Sequence, residues 1–444
     1  MWEFEEEISK FASIVTARME TGETVPLLEI EKGFRDAALR GGNILFTKFL
    51  SEIKDTAQVC PECASEEPVE DLGVRSKNIV SLLGEGTITR KYYGCGCGNH
   101  MLPKDELLDI VGTSYTPGIR RVVSQLAACD SFEQSSATLV EVCGIYVSSK
   151  DTERIAEAVG TAIEAENAKQ IEDTFSLYDA EVPAVTRILI MYIEFDGTGV
   201  PVMKRETSGR KGKQADGTAK TREAKLGCIF TQSGLNEKLE PVRDKNSTTY
   251  FGAIETSEGF GKRLYMEATQ RGVASAEIIV ILGDGARWIW ILADEHFPKA
   301  IQIVDLFHAK EHLCDFIKRI YTDAKMREAK EKEWTEILEE GKIEELTAEM
   351  GQYAGKSEEE QKDLEREVNY FKENAKRMQY KYFKSQGFFV GSGVIEAGCK
   401  NVIGKRLKQS GMHWSVRGAN AIIALRCAIL SGKFKLPRLT RKTA

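Results

Sequence analysis

The chain has 444 residues, of which 42% are hydrophobic and 29% charged, and its formal net charge is −7. This length predicts roughly two to four compact units, and the composition excludes a membrane span, because no stretch approaches the ~18–20 uncharged apolar residues that one needs. The segment MWEFEEEISKF is acidic where a signal peptide would be basic, so we expect a cytoplasmic protein with no membrane partner.

The net charge conceals an uneven distribution. Residues 1–75 carry 16 acidic and 8 basic side chains, whereas residues 375–444 carry 15 Lys or Arg and a single acid, Glu396. A basic surface of this kind favours the phosphates of nucleic acid. A solvated helical face with a basic tail at 433–444 would have the same composition. Charge alone leaves both interpretations open.

Residues 1–55 alternate apolar and charged residues at helical spacing, which predicts two or three short helices. Residues 56–104 differ, because they hold a C-x-x-C pair and, about thirty residues later, a C-x-C pair joined by strand material such as TITRKYYG. In an intracellular protein such pairs indicate metal ligands. We expect a zinc-ribbon-like domain whose structural Zn²⁺ is bound by four thiolates: Cys60, Cys63, Cys95 and Cys97.

The shortened second knuckle leaves the fourth zinc ligand open. His100 stands three residues beyond Cys97 and could replace Cys95. Four unligated thiols are the plainer alternative.

Residues 105–182 return to helical periodicity. Within them, 131–160 has the outline of a helix-turn-helix, with Gly144 in the turn and Ser148 able to cap the second helix. Lys150 and Arg154 on that helix could enter a major groove. Generic helical hairpins share the same outline, so the pattern favours DNA binding without requiring it.

From 183 to 310 the pattern is α/β, with strands predicted at 187–195, 226–231, 277–282 and 300–304. Residues 311–384 are helical and highly charged, which predicts an insertion. Residues 385–432 then resume the core with a glycine-rich segment, Glu396 and a basic helix.

Two of the predicted strands end in an aspartate beside glycine: RILIMYIEFDGTG in Asp196 and EIIVILGDGA in Asp284. With Glu396 these acids would repel one another unless a hard cation neutralised them, and Mg²⁺ or Mn²⁺ is suited to such oxygen ligands. Two ions ~4 Å apart can activate a water and stabilise a leaving oxygen in phosphodiester chemistry. Each aspartate alone could be a turn residue. The possible substitutes are Asp216, Asp244, Asp294 and Asp305.

Four blocks carry a resemblance to a known family: EFDGTGVP, GRKGKQADGTAKTREAKLGCIFTQ, ILGDGARWIWILADEHFPKAIQIVDLFHAKEHL and GSGVIEAGCKNVIGKRLKQSGMHWS. They resemble the signature blocks of Kra-type insertion-sequence transposases, bacterial DDE enzymes related to the Mutator superfamily. The resemblance implies a ribonuclease-H-like core interrupted by a helical insertion. It implies that Asp196, Asp284 and Glu396 are catalytic, and that His308, with Asp305, supports the active site. The C-x-C knuckle departs from the expected spacing.

The leading hypothesis is therefore a DNA transposase. Water would attack a phosphodiester at a transposon end, and the freed 3′-hydroxyl would then attack target DNA. The partners would be double-stranded DNA and further copies of the chain. The predicted DNA contacts after Glu396 are Lys405, Arg406, Lys408, His413 and Trp414. Arg210, Lys211 and Lys213, in an exposed loop, are further predicted DNA contacts. A charged helix with a core tryptophan is the alternative for the first group.

Two other functions fit parts of the sequence. HAKEH, 308–312, is an H-x-x-E-H pattern that could place His308 and His312 on a zinc ion, with Glu311 as base and Glu396 as third ligand of a peptidase. The basic surroundings of Glu396 suit DNA better than peptide. A non-catalytic DNA-binding relic of a transposase would retain the same parts.

Overall fold

The computed structural model describes residues 2–57, 59–63, 69–176, 187–212, 214 and 217–439. Lys213, Asp216 and residues 440–444 of the basic tail lie outside this part of the chain. The chain forms two compact units, Met1–Ile163 with Lys435–Ala444, and Glu164–Phe434. None of the described helices combines the length and apolar character needed to cross a membrane.

The first unit begins with a pair of helices, α1 (Trp2–Glu20) and α2 (Leu27–Glu52). They pack closely because Gly33 of α2 leaves room for the ring of Phe11. The number of helices agrees with the predicted two or three, but the helices are long rather than short.

A three-stranded antiparallel sheet follows, made of β1 (Glu70–Ser81), β2 (Gly84–Gly94) and β3 (His100–Met101), and it leads into the short helix α3 (Pro103–Leu107). Burial of apolar side chains from α2 and from this sheet stabilises the arrangement. The buried cluster consists of Leu50, Ile79, Ile88 and Ile110.

Three helices complete the first unit: α4 (Pro117–Cys129), α5 (Phe132–Cys143) and α6 (Ser149–Ser176), the last of which continues into the second unit. Gly144 ends α5 in the left-handed conformation, with φ of 69°. The Ser148 hydroxyl accepts the Asp151 N–H at 3.1 Å and caps α6. The helices and the turn therefore lie where the sequence predicted them.

A mixed five-stranded sheet forms the centre of the second unit. The strands of this unit are β4 (Ile188–Pro201), β5 (Thr221–Gln232), β6 (Gly234–Leu235), β7 (Pro241–Val242), β8 (Thr249–Ala253), β9 (Ala276–Gly283) and β10 (Ile301–Val304). The order in the large sheet is β10-β9-β4-β5-β8, and β6 pairs with β7 separately. β4, β9 and β10 are parallel, whereas β5 and β8 are antiparallel to their neighbours.

Sequence analysis predicted four of the five strands of the large sheet and missed β8, whose five residues TYFGA include a glycine and give a weak periodic signal. β8 lies at the edge of the sheet, and helix α16 (Val416–Leu430) covers it. Asn420 of α16 accepts the Ile254 N–H at 2.8 Å, just beyond the end of the strand.

The other helices of the second unit fall into three groups. Two follow strands of the sheet: α7 (Ser257–Gln270) and α8 (Arg287–His296). Five follow β10 and include the predicted helical segment: α9 (Leu306–Ile320), α10 (Ala324–Glu339), α11 (Ile343–Met350), α12 (Glu358–Asn374) and α13 (Tyr380–Ser385). Two precede α16 and are joined by a π-helical segment, Cys399–Gly404: α14 (Gly393–Gly398) and α15 (Lys405–Leu407).

Candidate active site

Three aspartates lie at the carboxyl end of the parallel pairing between β4, β9 and β10, on the same side of the sheet's perimeter. The pairing of β4 with β9 ends two residues before Asp196 and two residues before Asp284, so these two stand at corresponding positions of neighbouring strands. The pairing of β9 with β10 places Asp305 beside Asp284 in the same way. The topology thus brings together carboxylates that are far apart in sequence.

Asp196 is largely buried. One carboxylate oxygen accepts the Gly197 N–H at 2.6 Å, and the other accepts a hydrogen bond from the Cys399 thiol at 3.6 Å. Burial raises the pKa of Asp196, and the nearby charge of Asp284 adds to the rise. A cation between the two carboxylates would relieve both effects.

Asp284 is held in a tight turn directly after β9. Its carboxylate accepts the Ala286 N–H at 2.8 Å, and its carbonyl accepts the Tyr370 hydroxyl at 2.9 Å. Gly285 has φ of +99°, and a Cβ there would lie 2.5 Å from the Tyr370 ring. Glycine is required at 285 for both reasons.

Glu396 lies on α14 and is exposed. The helix packs against the sheet: the Ile395 N–H donates to the Glu194 carboxyl at 2.9 Å, and Gly398 lies against the Tyr250 ring. Cys399, three residues after Glu396, reaches Asp196. The helix that carries the third acid is therefore docked beside the first.

Asp305 has a different environment from Asp196 and Asp284. It is buried, and its two oxygens accept the backbone N–H groups of His308 and Ser392. One oxygen caps α9 and the other joins the end of β10 to the segment before α14. Because both oxygens are engaged, this environment suits a supporting residue better than a substitute metal ligand.

Two of the other possible substitutes bind neighbouring side chains. Asp244 accepts the hydroxyls of Thr231 and Ser233 at 2.6 and 2.8 Å. Asp294 is exposed on α8 and accepts the Gln302 amide at 2.6 Å.

The two histidines of the HAKEH segment lie one turn apart on α9, with ring centroids 5.6 Å apart. The His312 Nδ1 lies 2.6 Å from a Glu367 carboxylate oxygen, and the His312 ring stacks on Tyr370. His308 is close enough to Asp196 for a positive charge on its ring to lower the pKa of that carboxyl. The pairing of His312 with Glu367 joins α9 to α12 and gives the peptidase hypothesis no support.

Four cysteines in the first unit form a cluster that could hold a structural metal such as zinc. The sulfur atoms of Cys60, Cys63, Cys95 and Cys97 all lie within 4.8 Å of one another. The Cys60–Cys97 and Cys63–Cys95 distances are 3.8 and 3.6 Å, close to the ~3.8 Å that tetrahedral Zn–S bonds of about 2.3 Å require. His100 is outside this group and stacks on Tyr92. Cys95 therefore belongs to the cluster in spite of the short knuckle.

Within the described residues, the four cysteines are the only group of three or more His, Cys, Asp or Glu side chains that could hold a metal ion. The zinc peptidase site on His308 and His312 is not formed among them.

The basic residues near Glu396 divide by exposure. Lys405, Lys408 and His413 are exposed. Arg406 is fully buried, with its guanidinium 5.0 Å from the centre of the Trp414 ring, and Trp414 is buried as well. The prediction that Arg406 and Trp414 contact DNA is corrected here, because both side chains belong to the core.

Lys408 has a defined position, because its ammonium donates to the Thr198 hydroxyl at 2.6 Å. Thr198 follows Asp196 by two residues on β4, so both side chains point to the same face of the sheet. Lys408 therefore lies on the side of the sheet that carries Asp196.

The other predicted DNA contacts lie on exposed surfaces. Arg210 and Lys211 are exposed in the loop after β4. Lys150 and Arg154 are exposed on α6, where they pair with Glu153 at 2.7 Å and Asp151 at 3.1 Å.

Sequence analysis missed three residues that shape the site. Glu194 could have been found, because it is the charged residue within the apolar run LIMYIEF and lies on the same strand face as Asp196. Cys399 lies within one of the resembling blocks, but no local pattern marks it as a neighbour of Asp196. Tyr370 gave no local signal, because it comes from α12, 86 residues after Asp284.

Comparison with known proteins gives a family and a distant structural likeness. The model of an uncharacterised protein family, UPF0236, matches residues 29–438. One solved structure that matches is the Drosophila P element transposase strand transfer complex, with 7% sequence identity and a TM-score of 0.23, covering 71% of this chain and 79% of that chain. A TM-score this low does not establish a shared fold. No curated protein matches the chain significantly. The finer resemblance to Kra-type transposases stays a prediction.

Proposed function

The chain belongs to the uncharacterised protein family UPF0236, and we propose that it is a DNA transposase. In this proposal Asp196, Asp284 and Glu396 are the catalytic acids of a DDE centre. The enzyme hydrolyses a phosphodiester at the end of its own element, and the freed 3′-hydroxyl attacks a phosphodiester of target DNA.

One observation carries the proposal: Asp196 and Asp284 stand at corresponding positions on neighbouring parallel strands, and the helix of Glu396 is docked against the first of them. The donor set is made of carboxylate oxygens, and Asp196 is destabilised as an anion by burial and by Asp284. This fits a divalent cation.

Asp196, Asp284 and Glu396 would hold two Mg²⁺ or Mn²⁺ ions, which supply Lewis acidity for water activation and for the leaving oxygen. Among the described residues, these three acids are not close enough together to form a group that could hold a single ion, so the proposal rests on the strand positions of the two aspartates and on the docking of α14.

The protein's own groups would orient the DNA at this centre. Lys408, fixed by Thr198, is placed to contact a phosphate on the face that carries Asp196. Lys405 and His413 extend the same exposed basic segment. The turn at Gly285, closed by Tyr370, holds the Asp284 backbone rigidly, so that its carboxylate needs little reorganisation when DNA binds.

The architecture supports the remaining parts of the proposal. The mixed sheet, with five helices between β10 and α14, is consistent with a ribonuclease-H-like core that carries a helical insertion. The cysteine cluster would bind structural zinc, and α6 with the loop at 210–211 would add DNA contacts. Further copies of the chain would bring two element ends together.

The proposal is tested on plasmid DNA that carries the gene's own flanking sequences, with Mg²⁺ or Mn²⁺. We expect the wild-type protein to cut at the flanks and Asp284→Asn to be inactive, with Asp294→Asn, an exposed acid on α8, cutting normally. Equal cutting by wild type and Asp284→Asn would refute the proposed centre. Sequence-specific binding without cutting by any protein would favour a DNA-binding relic instead.

A further inference from the structure

Two buried carboxyl groups reach from the sheet to the backbone that precedes Glu396. Asp305, at the end of β10, accepts the Ser392 N–H. Glu194, in the middle of β4, accepts the Ile395 N–H at 2.9 Å. Both side chains are almost fully buried, with 1% and 0% of the residue exposed.

These contacts occupy the N–H groups that a helix leaves unsatisfied in its first turn. Ser392 is the N-cap of α14, but its own side chain accepts no capping hydrogen bond. The two carboxyl groups therefore take over the role of a cap from outside the helix. Glu396 follows Ile395 directly, so the position of this turn sets the position of the acid.

Glu194 is only partly satisfied by hydrogen bonds at its buried position. The Cys228 thiol lies 3.8 Å from the oxygen that binds Ile395, and the other oxygen, Oε1, has no hydrogen-bond partner among the described residues. A buried carboxyl with an unpartnered oxygen is usually less favourable than an apolar side chain of the same size. Its retention here points to a geometric task.

We propose that Glu194 is a positioning residue for the transposase centre, fixing the first turn of α14 so that Glu396 faces Asp196. The inference rests on the proposed function. One strand, β4, would then supply an acid directly through Asp196 and place a second through Glu194, since both side chains project from the same face.

Three variants separate this role from a general effect on folding. Glu194→Gln keeps an oxygen acceptor of the same reach. Glu194→Met keeps the volume but removes the acceptor, and Glu194→Asp keeps the carboxyl but withdraws it by one methylene. Glu277→Met, at an exposed position on β9, is the matched control. The full-length protein is used throughout, with cutting of the flank plasmid and hydrogen–deuterium exchange of residues 390–400 as readouts.

We expect Glu194→Gln to cut within about threefold of wild type, and both Glu194→Met and Glu194→Asp to cut at least tenfold more slowly while binding the flank DNA normally. Exchange at 390–400 should rise in Glu194→Met and Glu194→Asp, but not in Glu194→Gln or in the Glu277→Met control. Should Glu194→Met fail to fold, Glu194→Gln and Glu194→Asp give the same comparison.

Two results would overturn the inference: wild-type rates in Glu194→Met or Glu194→Asp, or a loss in Glu194→Gln as large as theirs. The exchange readout does not depend on cutting. If wild type itself does not cut, the proposed function fails on the plasmid assay, while unchanged exchange in Glu194→Asp would separately refute the positioning role.

Discussion

The thiol of Cys399 lies 3.6 Å from a carboxylate oxygen of Asp196. Cys399 opens a π-helical segment that follows the helix of Glu396, and such segments often occur at functional sites. The contact joins the strand that carries one proposed catalytic acid to the helix that carries another.

This contact predicts how the site responds to changes at 399. Cys399→Ser keeps a small donor and should cut within about threefold of wild type. Cys399→Phe should reduce cutting at least tenfold, because the ring cannot fit between helix and strand. Cys129→Phe, at an exposed position on α4, is the control. Plasmid-cutting rates measure the difference, and an active Cys399→Phe would show that the helix tolerates displacement.

Glu194 predicts a pH dependence of stability. Burial raises the pKa of Glu194 to about 8, well above the ~4.3 of an unfolded glutamate. At pH values between these two pKa values, the folded chain therefore keeps this proton, whereas the unfolded chain has lost it. The stability that this group contributes is fully present below about pH 4.3 and is lost as the pH rises through about 8.

Glu194→Gln removes this titration. Between pH 5 and 8, without divalent cations, the wild-type free energy of unfolding should therefore fall more steeply than that of the variant, by roughly 1.4 kcal/mol per pH unit. Urea unfolding at several pH values measures both slopes. Parallel curves would mean that Glu194 is not held neutral in the folded chain.

Exposed and buried basic residues should behave differently. Lys408→Ala and Lys405→Ala should weaken DNA binding and reduce the salt slope of log Kd by about 1 each, with little change in stability. Arg406→Ala should instead destabilise the fold by about 2 kcal/mol, because it empties a buried position beside Trp414. Fluorescence anisotropy and thermal unfolding separate the two effects. A stable Arg406→Ala protein that had lost DNA binding would contradict this assignment.

The cysteine cluster predicts one zinc ion per chain. Cys63→Ser should lose the metal and lower the stability of the first unit, and a strong chelator should do the same to wild type. Cys129→Ser, outside the cluster, should keep one zinc ion per chain. Elemental analysis with thermal unfolding provides the measurement, and a metal-free wild-type protein with unchanged stability would refute a structural zinc site.

Much of this arrangement could be predicted from the sequence, because strands that end in Asp-Gly leave a local signal. Asp196 and Asp284 were predicted at strand ends, and the structure places them side by side. The four cysteines were predicted from spacing, and their sulfur atoms converge. In each case the information lies in a short segment with a strong physical preference.

The burial of particular side chains could not be predicted in this way. Arg406 belongs to a basic run that looks solvent-exposed, yet it stacks on Trp414 inside the core. Tyr370 reaches Asp284 from a helix that sequence periodicity describes only as charged. Such contacts depend on how distant elements pack, which no local pattern specifies.

The most direct test of the central claim is a measurement of Mn²⁺ affinity by electron paramagnetic resonance. The proteins to compare are wild type, Asp284→Asn and Glu396→Gln. If Asp196, Asp284 and Glu396 bind the same pair of ions, each substitution should weaken Mn²⁺ binding at least tenfold, and Asp294→Asn should leave it unchanged. Wild-type affinity in either Asp284→Asn or Glu396→Gln would contradict a shared metal centre.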